Sequence, residues 1–308
     1  MSEVLTTRVL GNVGIVEINS PPVNALSTAV RTAVIEGLRV LNADDAVAAI
    51  VLQCAGRTFF AGADIAEFDD LPIKQPDFDA LMAAAESSAK PVIAAIHGTA
   101  LGGGFELAMA CNYRLAVPSA KLGLPEVHLG ILPGAGGTQR LPRLVGAAAA
   151  LDLILGGNPV PAAKAAQMGV LDQVVEEGKL EEAALAFAQQ VIADGADTPK
   201  VRDRAVTGTL ADLEPVKAKY QRQFTGFKAP GNIVKAVEAA ITFPFDQGLA
   251  REKELFGELL VSRESAAQRH VFFAQRLTAK VPDIGKDVPI LPIRKVGVIG
   301  AGTMGGGI

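Results

Sequence analysis

The chain has 308 residues, of which 49% are hydrophobic and 20% charged, and a formal net charge of −4. It can bury a sizeable core as one large domain or two smaller ones, and its slight acidity with scattered Lys and Arg excludes an electrostatic nucleic-acid binder. No stretch approaches the roughly 18 uninterrupted apolar residues of a membrane helix, since even LVGAAAALDLIL is cut by Asp152.

The chain opens with a predicted hairpin, VLTTRVL and GIVEINS joined at Gly11-Asn12, and a turn at Ser20-Pro21-Pro22. Ser27 is placed to cap a helix whose buried face carries Val30, Val34, Leu38 and Leu41 and which stops at Asn42-Ala43-Asp44-Asp45. A buried strand, AAIVLQC, follows. The strand-then-helix alternation continues as PVIAAIHG into GGGFELAMAC, YRLAV, and VLDQVV before EEAALAFAQQVIA, which makes this an α/β chain. After about residue 195 the pattern turns helical, with amphipathic stretches at 232–242 and 247–276, the second broken near Ser262. Pro282, Pro289 and Pro292 mark a linker at 281–294, and KVGVIG then reads as a fresh strand running into GAGTMGGGI. The N-terminal MSEVLTTRVL has no charged-then-apolar leader pattern, so a cytoplasmic protein is expected, with the peroxisome left open because the chain reads as truncated at its end.

Two carboxylates stand out. Glu106 and Glu126 lie in TALGGGFELAMACNYRLAV and KLGLPEVHLGILPGAGGTQRLPR, amid little but apolar residues and glycine. A carboxylate so placed either finds a charged partner, for which Arg114 and Arg140 are near in sequence, or has its pKa raised until it trades protons near neutrality. Gly102, Gly103 and Gly104 fall where a strand hands over to the helix carrying Glu106, so bare N–H groups there could face a ligand oxygen. Gly62 in FFAGADIAEF could turn the Ala63 N–H toward the same oxygen, forming an oxyanion hole. The alternative is that these glycines serve only tight turns and close packing. Cys54 and Cys111 read as buried thiols, and His97, His128 and His270 have no metal-ligand spacing, so no metal is expected. No G-x-S-x-G elbow supports a serine hydrolase.

Together AGADIAEF, AIHGTALGGGFELAMACNYRLA and LGLPEVHLGILPGAGGTQRLPRLVG resemble the enoyl-CoA hydratase/isomerase (crotonase) superfamily, in order and spacing, over roughly residues 5–195. The helical stretch SRESAAQRHVFFAQR and the glycine-rich end resemble the multifunctional β-oxidation enzymes, in which a 3-hydroxyacyl-CoA dehydrogenase half follows the hydratase half. The resemblance implies a crotonase-type spiral of ββα units at 1–195, an α-helical subdomain at 196–280, the linker, and at 295–308 the start of a truncated dinucleotide-binding domain. It implies an acyl-CoA thioester substrate, with its oxygen held by the N–H groups of Ala63 and Gly103, and with Glu106 and Glu126 sharing the acid and base work of hydration and of Δ3,Δ2 isomerisation. Ala25, Ala61, Asp64, Ile65, Gly102 and Gly134 match substrate-contacting positions. Ala66 stands where related hydratases often carry a basic residue, leaving Arg57, Lys74 and Arg276 as candidates for the CoA phosphates. No cofactor is implied for hydration. Gly300, Gly302 and Gly305 match an NAD fingerprint that lacks its following helix and acidic residue, so NAD binding is expected only of a longer parent carrying the dehydrogenase domain. A monomer is expected. The rival readings are another acyl-CoA enzyme of the superfamily and a non-catalytic acyl-CoA-binding module.

Overall fold

The computed structural model describes residues 4–70, 72–278, 285, 288–289 and 291–307. They fall into two compact units, Met1–His270 and Val271–Ile308.

In the first unit β1 (Leu5–Leu10) and β2 (Val13–Ile18) form the predicted hairpin, closing with Leu10 opposite Val13 around Gly11 at φ +62°. Beyond β2 the sheet is parallel: β3 (Ala49–Cys54), β4 (Val92–Ile96), β6 (Tyr113–Ala116) and the short β9 (Gln173–Val174) give the order β1-β2-β3-β4-β6-β9. β3 and β4 are buried at every position, which is why their sequences read as continuous apolar runs without alternation.

The four strands β2, β3, β4 and β6 are each followed by a shorter extended piece and then a helix. After β2 comes Leu26, which makes a parallel bridge with Ala63, and then α1 (Thr28–Ala43), capped by the Ser27 hydroxyl on the Val30 N–H. After β3 comes Ala63 itself, then α2 (Phe78–Glu86). After β4 comes β5 (Thr99–Leu101), then α3 (Gly103–Ala110). After β6 come β7 (Lys121–Gly123), a single 3-10 turn at Glu126–Leu129 and α4 (Gly137–Val145). This is the spiral of ββα units, and its second row of strands, with β5 and β7 paired in parallel and β8 (Val160–Pro161) beside β7, is the layer that reaches the site.

Helices α5 (Ala147–Gly156), α6 (Ala162–Gln167) and α7 (Leu180–Ala193) complete the core, α7 lying across β3 and β4. The helical residues that follow pack on that core as part of the same unit. After α8 (Glu214–Lys219), α9 (Ala229–Thr242) lies on α4 and α5, and α10 (Phe245–Leu260) lies on α9 and α4. The predicted break at Ser262 separates α10 from α11 (Arg263–Thr278), with the Ser262 hydroxyl accepting the Ser265 N–H at 3.1 Å as a new helix cap.

In the second unit the predicted strand at KVGVIG is corrected: residues 291–300 form no strand. A parallel strand needs a neighbour to take its N–H and C=O groups, and none pairs with this segment among the described residues. Of the expected linker 281–294, residues 281–284, 286–287 and 290 lie outside the described residues. The Gly300-Gly302-Gly305 motif curls into a turn, with the Gly306 N–H on Gly302 O at 2.9 Å and Gly300 at φ +104°.

Candidate active site

Three glycines bring a loop, a strand end and a helix N-terminus together. Gly102 enters α3 at φ +49°, ψ −128°, a conformation open to glycine. A methyl group at Gly104 would stand 2.2 Å from Phe60 O, so the loop 59–63 lies directly against the first turn of α3. The Leu101 N–H donates to Phe60 O at 3.1 Å and the Leu26 N–H to Gly62 O at 2.9 Å, fixing that loop between the second-row segments. Gly62 turns at φ +114°, and a methyl on Gly102 would lie 3.9 Å from Gly62 Cα. The N–H groups of Ala63 and Gly103 donate to no carbonyl or side chain among the described residues. Two free donors on adjoining segments, one at the positive end of α3, suit an oxygen that gains negative charge.

Beside them lie both glutamates. Glu106, in the first turn of α3, is 2% exposed, and its Oε1 accepts the N–H groups of Ala135 at 2.9 Å and Gly137 at 2.7 Å. Glu126 opens the 3-10 turn after β7; a methyl on Gly102 would sit 2.7 Å from its Oε1, and its buried Oε2 has no hydrogen-bond partner. Burial pushes both carboxyls up. For Glu106 the two N–H donors and the Arg140 charge oppose the shift, whereas for Glu126 the charges of Glu106 and Glu252 add to it, and its pKa stands well above the usual range. The pair shares one environment, and the charge of Glu106 is one cause of the Glu126 shift.

The ion-pair alternative does not hold. Arg114 pairs with Asp172 at 3.3 Å and with buried carbonyls, and Arg140 pairs with Glu86 at 2.8 Å.

Of the other sequence-predicted residues, Ala25 and Ala61 flank the Leu26–Ala63 bridge, Ala25 O accepting from Ser27 N and the Ala61 N–H reaching Val23 O at 3.2 Å. Asp64 caps the turn that begins at Ile65 by accepting the Ala66 N–H at 3.2 Å. Gly134 faces α10: a methyl there would meet Phe256 Cδ2 at 2.5 Å, so its smallness accommodates a helix, while its neighbours Ala135 and Gly137 hold Glu106. Arg57 donates to Pro22 O at 3.1 Å and is exposed, and Lys74 pairs with Asp70 at 2.9 Å. In the second unit the Arg276 guanidinium stacks 3.4 Å from the centre of the Phe272 ring. Cys54 and Cys111 are buried free thiols. Among the described residues no His, Cys, Asp and Glu cluster is arranged to hold a metal ion. Sequence reasoning missed Ala135, Gly137 and Glu252, the last because it sits in AREKELFGELL, where its neighbours in sequence give it the look of an ordinary solvated charge.

A family model described as enoyl-CoA hydratase/isomerase matches residues 9–231. A peroxisomal bifunctional enzyme of Danio rerio is 42% identical over 304 residues, covering 96% of this chain and 42% of the relative. A peroxisomal fatty acid beta-oxidation multifunctional protein of Arabidopsis thaliana is 38% identical over 320 residues, covering 98% of this chain and 44% of the relative. The chain thus spans less than half the length of these relatives. Among solved structures, a carnitinyl-CoA dehydratase from Mycobacterium avium 104 superposes with a TM-score of 0.67 at 29% identity, covering 88% of this chain and 97% of that one.

The relatives overturn the expected cytoplasmic location, since they are named as peroxisomal enzymes. Peroxisomal addresses such as S-K-L are read at the C-terminus, on which an N-terminal pattern is silent. With the ββα spiral, the free N–H pair beside two buried glutamates and the match over residues 9–231, the chain belongs to the enoyl-CoA hydratase/isomerase family.

Proposed function

We propose that this chain adds water to trans-2-enoyl-CoA, giving 3-hydroxyacyl-CoA, as a step of peroxisomal fatty acid β-oxidation. The observation that carries the reading is the asymmetric pair: Glu106 held by two N–H donors, Glu126 with a bare buried oxygen and a strongly raised pKa. Conjugation lets water attack Cβ only as electron density moves onto the thioester oxygen. The N–H groups of Ala63 and Gly103 receive that charge, and each such donor contributes about 3 kcal/mol to the transition state. Glu106, ionised, takes a proton from the attacking water, and the protonated Glu126 delivers one to Cα. The C–O bond forms at Cβ and the C–H bond at Cα. The proton gained by Glu106 then passes to Glu126, which restores the starting pair.

The same site suits Δ3,Δ2 isomerisation, in which one carboxylate moves a proton along the acyl chain, as a secondary activity. Neither reaction needs a group beyond the CoA already carried by the substrate. NAD chemistry is assigned to a dehydrogenase domain in a longer parent, in keeping with the bifunctional relatives. A monomer is favoured by the way α9 and α10 cover the chain's own α4 and α5. Steady-state loss of crotonyl-CoA absorbance tests the reading: turnover is expected, and an intact folded chain without it would support the non-catalytic binding module instead.

A further inference from the structure

A third buried carboxylate serves the same loop. Glu252 lies on α10, far away in sequence, yet it is 0% exposed and accepts Gly136 N–H at 2.6 Å, Thr138 N–H at 3.0 Å and the Thr138 hydroxyl. The intervening N–H groups go elsewhere: Ala135 and Gly137 donate to Glu106. Four consecutive N–H groups therefore alternate between two carboxylates, Ala135 and Gly137 to one, Gly136 and Thr138 to the other.

The run that makes this possible turns at Gly136, φ +93°, just before α4. Free of its grip on one side, such a turn would have no reason to present Ala135 N and Gly137 N to a single oxygen. The grip is itself prepared. Gln139 donates to Thr138 Oγ1 at 2.9 Å, which leaves the hydroxyl proton to point at Glu252. Gly248, one turn before Glu252 on α10, admits Gln139 to the helix surface, since a methyl there would meet Gln139 Oε1 at 2.1 Å. If α10 needed only to be anchored, an apolar side chain would serve as well without the desolvation a buried carboxylate incurs.

We infer that Glu252 is a positioning residue for hydration, which holds residues 135–138 so that Ala135 and Gly137 keep Glu106 aimed. The inference rests on the proposed role of Glu106 as the base. It assigns to α10 a part in the chemistry besides covering the core.

Glu252→Gln tests it in the full chain with crotonyl-CoA. The amide keeps an acceptor for Gly136 but turns an NH₂ toward the Thr138 N–H. The expected result is a fall in kcat of about tenfold or more with KM within about twofold, and no further fall when the change is added to Glu106→Gln, because two residues acting through one carboxylate are non-additive. Losses that multiply in the double variant, or wild-type kcat in Glu252→Gln, would overturn the inference. If Glu106→Gln alone leaves hydration intact, the proposed function itself fails, a separate and recognisable outcome. Should Glu252→Gln not fold, Thr138→Val removes only the hydroxyl donor; a loss of a few-fold in kcat that disappears in the Glu106→Gln background supports the inference, and an unchanged or additive kcat contradicts it.

Discussion

Glu126 is held in a state that costs the fold and serves the reaction. Its unfolded carboxyl titrates near 4.5, whereas burial and the Glu106 charge push it well above that in the fold. The folded chain therefore keeps a proton that the unfolded chain has released. Stability then falls as pH rises from the ordinary carboxylate range toward the raised value, the sign expected whenever the native state binds more protons. Glu126→Gln removes this penalty, so the melting temperature of the variant relative to wild type is expected to climb as pH rises above the ordinary carboxylate range, while its hydration rate drops by orders of magnitude. Thermal melts across that rise check the first half. Gly102 bears on the same oxygen: alanine there would place a methyl 2.7 Å from Glu126 Oε1 at a φ of +49°. Gly102→Ala is expected to cost about 1–3 kcal/mol in denaturant unfolding and to depress hydration together with it. The two glutamates were legible because charge embedded in apolar sequence has few explanations. Glu252 was not, because a glutamate flanked by Lys253 and Glu254 on an amphipathic helix carries no mark of burial until the helix is docked.

Among the elements, the second row of strands carries the chemistry. β5 ends just before Gly102, β7 ends just before Glu126, and Ala63 sits at the matching place beside Leu26, so three successive turns of the spiral each deliver one part of the site. Gly104→Ala is expected to push the loop 59–63 away from α3, since its methyl would meet Phe60 O at 2.2 Å. Losing the Ala63 donor in this way should lower kcat on the order of 100-fold, read from steady-state kinetics. The hairpin, α1 with its Ser27 cap and the buried strands β3 and β4 were legible from turn residues, spacing and apolar runs. The second row was not, because Leu26 and Ala63 make a single bridge and β5 and β7 are three residues each, too short to leave a periodic pattern. The strand expected at KVGVIG failed for a related reason: its apolar run is genuine, but a strand exists only by pairing.

At the scale of the molecule, α9 and α10 close over α4 and α5, and through Glu252 they reach the loop that holds Glu106. Sequence composition placed helices after residue 195 but not what they cover. Because that cover comes from the chain itself, light scattering is expected to return the mass of one chain, and a trimer or hexamer would contradict the monomer. The central claim is that Glu106 and Glu126 together hydrate an enoyl thioester. Its most direct test is kcat for crotonyl-CoA hydration by the wild type, Glu106→Gln and Glu126→Gln, with binding of the CoA ester measured alongside. Loss of kcat by orders of magnitude in each variant, with binding retained, is the expected result, and wild-type rates in both would contradict the account.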